Sequence, residues 1–165
     1  MRARRGRLSE SAMAYLRNIS PGSAAILSAV IAAIRPRGHG FDHPIDDDVL
    51  AELDRIVALM PPMLRLGFPL GLRVLEWGPP LLRAMPSRMS RMPPDKAIGY
   101  CQSLLESRIA PLRTLMVGVR ALIYIAFYQH PQVLRTMNVR WDERMNETIR
   151  LRAETLDRAR YGYPR

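Results

Sequence analysis

The chain is poor in the residues from which most catalytic and metal sites are built. Its 165 residues include a single cysteine, Cys101, and only three histidines. One cysteine excludes an internal disulfide and a zinc cluster made from thiolates alone. The chain also has a single lysine, Lys96, against 24 arginines. We attribute this imbalance to the codon bias of a GC-rich bacterial genome, so it says little about partners.

Long apolar runs without charge are also missing. In the body of the chain, the run at residues 121–128 has eight residues, and the run at residues 24–34 has eleven. Both are far shorter than the ~20 residues that a membrane-spanning helix needs. The helix that contains residues 121–128 also carries Arg113 and Arg120, which would be costly in lipid. The sequence therefore predicts no transmembrane helix.

An export leader is only faintly suggested. Arg4-Arg5 resemble the start of a twin-arginine signal, but the apolar run at residues 24–34 comes late, beyond Ser20-Pro21-Gly22. We expect a cytoplasmic or membrane-associated protein, and export together with a partner stays open.

What the chain does contain indicates a folded helical domain. Hydrophobic residues make up 48% and charged residues 24%, a globular balance, and the net charge is +10. No run of β-branched residues alternates with period two, so strands are not predicted. We predict an all-α, irregular bundle of about six to eight helices, several of them broken by proline. Residues 1–18 would be a basic flexible tail, 19–140 the bundle, and 141–165 a charged C-terminal helix and tail.

Individual helices can be placed from caps and prolines. Ser20-Pro21 predicts the start of the first helix, and three aspartates at residues 46–48 the start of the second. Residues 63–85 predict a broken helix pair, with a kink near Pro69 and a turn at Gly78-Pro79-Pro80. Residues 112–128 predict the longest apolar helix, buried on most sides. The helix at 141–160 would dock by one edge or lie as an arm on a partner.

Signals of enzyme chemistry are weak. There is no glycine-rich nucleotide loop and no Gly-x-Ser-x-Gly motif. His39 and His43 precede the three aspartates and could in principle ligate a metal, but Gly40 and Pro44 keep them off a regular helix, which favours a polar loop. His130 is expected to cap a helix and Cys101 to pack in the core. We predict no catalytic, cofactor-binding or metal-ligating residue.

The basic charge does not predict nucleic-acid binding, because the arginines are spread along every segment and many lie beside acids. A stand-alone helical protein peripherally attached to a membrane surface, through residues 60–92 and the basic start, is the alternative that we keep open. A third interpretation is an enzyme that uses the loop at residues 39–48.

The second half of the chain carries a set of short motifs, namely Ser107-Arg108, Leu112-Arg113, Phe127-Tyr128 and Pro131-Gln132-Val133. With the opening helix, they make about residues 20–140 resemble the gluconate 2-dehydrogenase third-subunit family, the small helical subunit of membrane-associated flavin dehydrogenases. The stretch also resembles the helical region before the flavin domain of long-chain fatty alcohol oxidases. Asn138-Val139 depart from the pattern, since a Gly-Tyr pair is expected there.

The resemblance implies a non-catalytic subunit. FAD and the catalytic groups would belong to a large glucose–methanol–choline (GMC) type oxidoreductase acting on an alcohol, sugar or sterol. This chain would stabilise that partner, or help to mature or export it.

The surface expected to meet the partner is a stripe on the longest helix that has no acidic residue. The alternative is that its arginines pair internally with Glu76 or Glu106. The predicted interface residues are Trp77, Arg108, Arg113, Arg120, Tyr124 and Tyr128.

Overall fold

The computed structural model describes residues 16–36, 38, 41, 43–83, 87–137 and 141–161. Within them the chain forms seven α-helices and one short 3₁₀ helix, and no β-strand. This confirms the all-α prediction. Several positions named above, among them the tail up to residue 15, His39, Asn138-Val139 and residues 162–165, lie outside the described part.

The elements follow one another with short connections. They are α1 (Pro21–Ile34), α2 (Asp46–Leu59), α3 (Pro62–Arg83), the 3₁₀ helix Met89–Arg91, α4 (Pro94–Leu105), α5 (Ala110–Tyr128), α6 (Pro131–Thr136) and α7 (Trp141–Tyr161).

Helix starts agree with the sequence signals. The Ser20 hydroxyl accepts the Ser23 N–H at 3.3 Å, and Pro21 opens α1. The three aspartates fill the first turn of α2, where they favour the positive end of its dipole. His130 is indeed a cap: its Nδ1 accepts the Gln132 N–H at 3.3 Å and so begins α6.

The core forms around α1, which packs against α2, α3, α4 and the 3₁₀ helix, while α5 packs against α2 and α4. This arrangement places the run at residues 24–34 inside the bundle. The largest fully buried side chains come from α1, α2, α3, α5 and the 3₁₀ helix: Leu27, Ile31, Leu50, Leu53, Leu72, Leu75, Met89, Met116, Ile123 and Phe127.

The predicted break in α3 is wrong, because the helix runs unbroken for 22 residues through Pro69, Pro79 and Pro80. A proline has no N–H and leaves the carbonyl four residues earlier without its helical donor. For Pro79 that carbonyl belongs to Leu75, and it accepts the Tyr100 hydroxyl at 3.2 Å. A tertiary hydrogen bond from α4 thus replaces the one that Pro79 cannot make.

The N-terminal boundary of the fold also differs from the expectation. The buried Asp54 carboxylate on α2 accepts the backbone N–H groups of Arg17, Asn18 and Ile19 at 2.8–3.1 Å. It also accepts the side-chain amide of Asn18 at 3.0 Å. Burial raises the pKa of Asp54, but these donors outweigh it and hold that pKa below its ordinary value. Residues 17 and 18, assigned to the flexible tail, are therefore held to the bundle.

Two further expectations fail at α5 and α7. One stripe of α5 is buried, but Thr114, Gly118 and Ile125 on its far side are exposed, so this helix is not covered on most sides. On α7, the apolar residues Met145 and Ile149 are exposed, as is the adjacent charged face. The edge of α7 that was expected to dock on the bundle therefore faces solvent.

Candidate interaction surfaces

The predicted arginine–tyrosine stripe lies on the flank of α5 nearest the end of α1. The Tyr124 hydroxyl donates to the Ile34 carbonyl at 3.3 Å, so this tyrosine is partly committed to the bundle. Its ring contacts that of Tyr128 with centroids 5.9 Å apart. The Arg120 guanidinium lies 5.9 Å from the Tyr124 ring centroid, at the outer limit of a cation–π contact. We call the set Arg113, Arg120, Tyr124 and Tyr128 the α5 flank.

The arginines of the α5 flank are not neutralised by acids. Arg113 donates to the Ser107 carbonyl at 3.1 Å, and neither Arg113 nor Arg120 forms an ion pair within the described residues. Glu76, which was weighed as their internal partner, is buried and instead accepts the Ser90 N–H and hydroxyl at 2.9 and 2.6 Å. Internal pairing with Glu76 is therefore wrong, and both charges stay available to a partner.

Trp77 is not part of this group. It lies on α3, where the Arg88 guanidinium stacks 3.8 Å from the ring centroid, a cation–π contact. Helices α3 and α5 approach at Gly71, where an added Cβ would lie 2.7 Å from Leu115. At about 100° per residue, Leu115 is about 140–160° around α5 from the two arginines. The structure thus places four of the six predicted residues on the α5 flank, leaves Arg108 exposed beside Ser107, and places Trp77 elsewhere.

Sequence reasoning named residues 60–92 as a possible membrane contact but missed the exposed apolar stripe that α3 forms there. Five residues share one face of this helix with the spacing 3, 4, 4, 3, and their exposed fractions fall from 83% at Met63 to 42% at Trp77. We call this set the α3 stripe: Met63, Leu66, Leu70, Val74 and Trp77. The opposite face carries Leu72 and Leu75, which are buried in the core. Helix α3 therefore has two apolar faces, of which the bundle covers one. The assumed break hid the pattern, since the spacing is visible only across an unbroken helix.

The stretch of sequence that contains α3 has almost no acidic residues. Residues 55–94 contain six arginines and one acid, Glu76, which is buried. Arg73 is exposed within about 60° of Leu66, Leu70 and Trp77 around the helix axis. The surface thus combines exposed apolar side chains with positive charge.

Helix α5 bears on the prediction that no helix crosses a membrane. Within the described residues it is long and apolar enough to cross a bilayer, judged by length and composition only. A core helix passes the same test, and α5 supplies five buried side chains to the bundle. Yet only 28% of its apolar stretch is buried, so much of that apolar surface faces outward.

Chemically reactive groups are few in the part of the chain that the structure describes. Cys101 packs in the core as predicted, and burial raises the pKa of its thiol to about 11. The His130 Nε2 lies 3.4 Å from the Asp48 carboxylate, which holds the ring in its capping position. The described residues contain no group of three His, Cys, Asp or Glu side chains that could hold a metal. A shallow cleft beside Asp54 is lined by Arg17, Arg55 and Leu59, but the Asp54 oxygens are already hydrogen-bonded.

Comparisons with protein families, curated proteins and solved structures found no match to this chain.

Proposed function

We propose that this chain is a non-catalytic helical subunit that binds a separate FAD-dependent oxidoreductase of the GMC type and stabilises it or helps it to mature. The partner would hold the FAD and act on an alcohol, sugar or sterol. One observation carries the proposal: the α5 flank presents two arginines, which form no ion pair with any residue that the structure describes, next to two tyrosines. Arginine and tyrosine are enriched at protein interfaces and supply many of their energetically dominant contacts.

The residues that carry the family resemblance fall into two groups in this fold, one buried and one exposed. Phe127 and Val133 are buried, so these matched positions serve the bundle itself. Arg113 binds the Ser107 carbonyl and thereby ties two of the motifs together at the start of α5. Arg108, Arg113 and Tyr128 remain exposed. The exposed motif positions therefore lie at and near the α5 flank, as a partner-binding role requires.

The test is co-expression with a GMC-type flavoprotein encoded beside this chain. We expect the two to co-purify, and the flavoprotein to retain FAD longer in the complex than alone. Replacing Arg120 with Ala should weaken the complex by ~1–4 kcal/mol, the usual range for a dominant interface residue. The melting temperature of the isolated subunit should barely change, because Arg120 has no ion pair within the described residues to lose.

The matched control is Arg152→Ala, which removes the same charge from an exposed position on α7. It should leave the complex intact. Tyr128→Phe with Arg113→Ala tests the rest of the α5 flank without touching the Tyr124 hydrogen bond to α1. If co-purification survives Arg113→Ala, Arg120→Ala and Tyr128→Phe together, the α5 flank does not bind the flavoprotein.

A further inference from the structure

We infer that the α3 stripe is a membrane-binding surface, and that its occupant is the headgroup and upper acyl region of a bilayer rich in anionic lipid. The proposal does not depend on the flavoprotein, since it uses a different helix and different residues. It rests on three observations: the part of α3 that is exposed, the sign of the charge in this stretch of the chain, and the tryptophan, Trp77, at the end of the stripe.

The bundle leaves the first half of α3 largely uncovered. Residues 61–67, 69 and 70 are all exposed, and Phe68 is half-buried. Leu64 is exposed although it lies about 100° around the helix from Met63. Leu59, at the end of α2, adds a further exposed apolar side chain at this corner. A single partner helix would cover only one face, whereas a bilayer can surround an apolar corner that is exposed on several sides.

The positive charge near α3 favours anionic lipid. Between residues 55 and 94 the only acid, Glu76, is buried and bound to Ser90, so no exposed carboxylate in this stretch would oppose a negative surface. Arg73 lies at the edge of the stripe, and the guanidinium of Arg88 covers the Trp77 ring. Arginines beside an inserted apolar face attract anionic headgroups.

Trp77 is the last residue of the α3 stripe and its least exposed member. Tryptophan favours the interface between acyl chains and headgroups, since its ring is apolar and its N–H is polar. A helix that enters the bilayer at Met63 and Leu66 would bring Trp77 to this level, beside Arg88. Along α3, the apolar first half thus carries one arginine, Arg65, and is followed by Arg73 and then by Trp77. Arg88, which contacts Trp77, belongs to the segment after the helix.

The test measures binding of the full chain to phosphatidylcholine vesicles with and without phosphatidylglycerol. We expect clear binding only when phosphatidylglycerol is present. The double variant Met63→Ser, Leu66→Ser should bind at least tenfold more weakly, because burying one such side chain is worth roughly a factor of ten. Arg73→Gln should weaken binding about fivefold, the effect of one charge near an anionic surface.

The matched control is Ile149→Ser with Leu156→Ser, which removes two comparably exposed apolar side chains from α7. It should leave vesicle binding unchanged. All four apolar positions are exposed, so both double variants should keep the circular dichroism and melting temperature of the parent.

Tryptophan fluorescence locates the contact independently. The chain has two tryptophans, so Trp141→Phe leaves Trp77 as the only reporter. Its emission should shift to the blue when phosphatidylglycerol vesicles are added, and quenchers placed in the acyl chains should reduce it. An unshifted emission, or vesicle binding that survives Met63→Ser, Leu66→Ser, would overturn the proposal. So would a parent chain that is dimeric in solution and becomes monomeric in that variant, since the stripe would then belong to a second copy.

Discussion

Removal of the Asp54 carboxylate should release the segment that precedes α1. This carboxylate accepts four hydrogen bonds from residues 17–19, three of them from backbone N–H groups. The variant Asp54→Ala removes all four at once. It creates little overpacking or strain, because alanine is smaller and is a good helix former.

The expected cost follows from these contacts. Hydrogen bonds to a charged group are worth about 1.5–3 kcal/mol each, or about 6–12 kcal/mol for four. These values already include the exchange of each hydrogen bond with water. Freeing three residues returns about 3–6 kcal/mol of backbone entropy. At the lower end of both ranges, the net loss in the free energy of unfolding is about 3 kcal/mol. For a chain of this size that lowers the melting temperature by about 6–12 °C.

A matched control lies on the same helix. Glu52 pairs with Arg55 at 2.9 Å, an exposed contact, and Glu52→Ala makes the same change of charge two residues away. Exposed ion pairs are worth about 0.2–1 kcal/mol, so this variant should lose little stability. If thermal unfolding followed by circular dichroism gives the same small change for Asp54→Ala and Glu52→Ala, the Asp54 anchor does not stabilise the fold.

The pH dependence of the free energy of unfolding provides a second test of the role of Asp54. Donors from residues 17–19 hold the pKa of Asp54 below its unfolded value, so its stabilisation is complete above the unfolded pKa and is lost as pH falls through the folded pKa. The stability gap between the parent and Asp54→Asn should thus be constant near neutral pH and should shrink as acid protonates the parent's carboxyl. A gap that widened on acidification would contradict this sign.

Two further predictions concern the ends and the core of the fold. A chain that begins at Ser20 should melt several degrees lower than one that begins at Leu16, because it lacks the donors to Asp54; equal melting temperatures would show that residues 16–19 do not stabilise the fold. Cys101 should not react with iodoacetamide at pH 8 in the native state and should react fully once the protein is unfolded, because burial raises its pKa to about 11; mass spectrometry reports the modified fraction.

Local signals in the sequence were enough to predict several helix starts. The Ser20 cap and the aspartates of α2 act within one turn of the chain, so the residues that decide them are neighbours in sequence. These features need no knowledge of what packs against them.

The failures share one physical origin, namely contacts between residues far apart in the chain. Pro79 would end an isolated helix, but Tyr100 supplies a donor to Leu75 from 25 residues away. Asp54 shows no sequence signal of its role, since its partners lie 35–37 residues earlier. Helix α5 is apolar almost all round, so periodicity could not reveal which of its faces α2 and α4 would leave uncovered.

The two proposed surfaces are compatible because α3 packs against α5 on the side away from the α5 flank. Helix α3 meets α5 through Gly71 and Leu115, and Leu115 is about 140–160° from Arg113 and Arg120 around the axis. A flavoprotein bound to the α5 flank would therefore leave the α3 stripe open to lipid. Neither surface includes Asp54, so substitutions at either site leave its hydrogen bonds to residues 17–19 intact. A loss of binding in those variants can then be attributed to the surface itself.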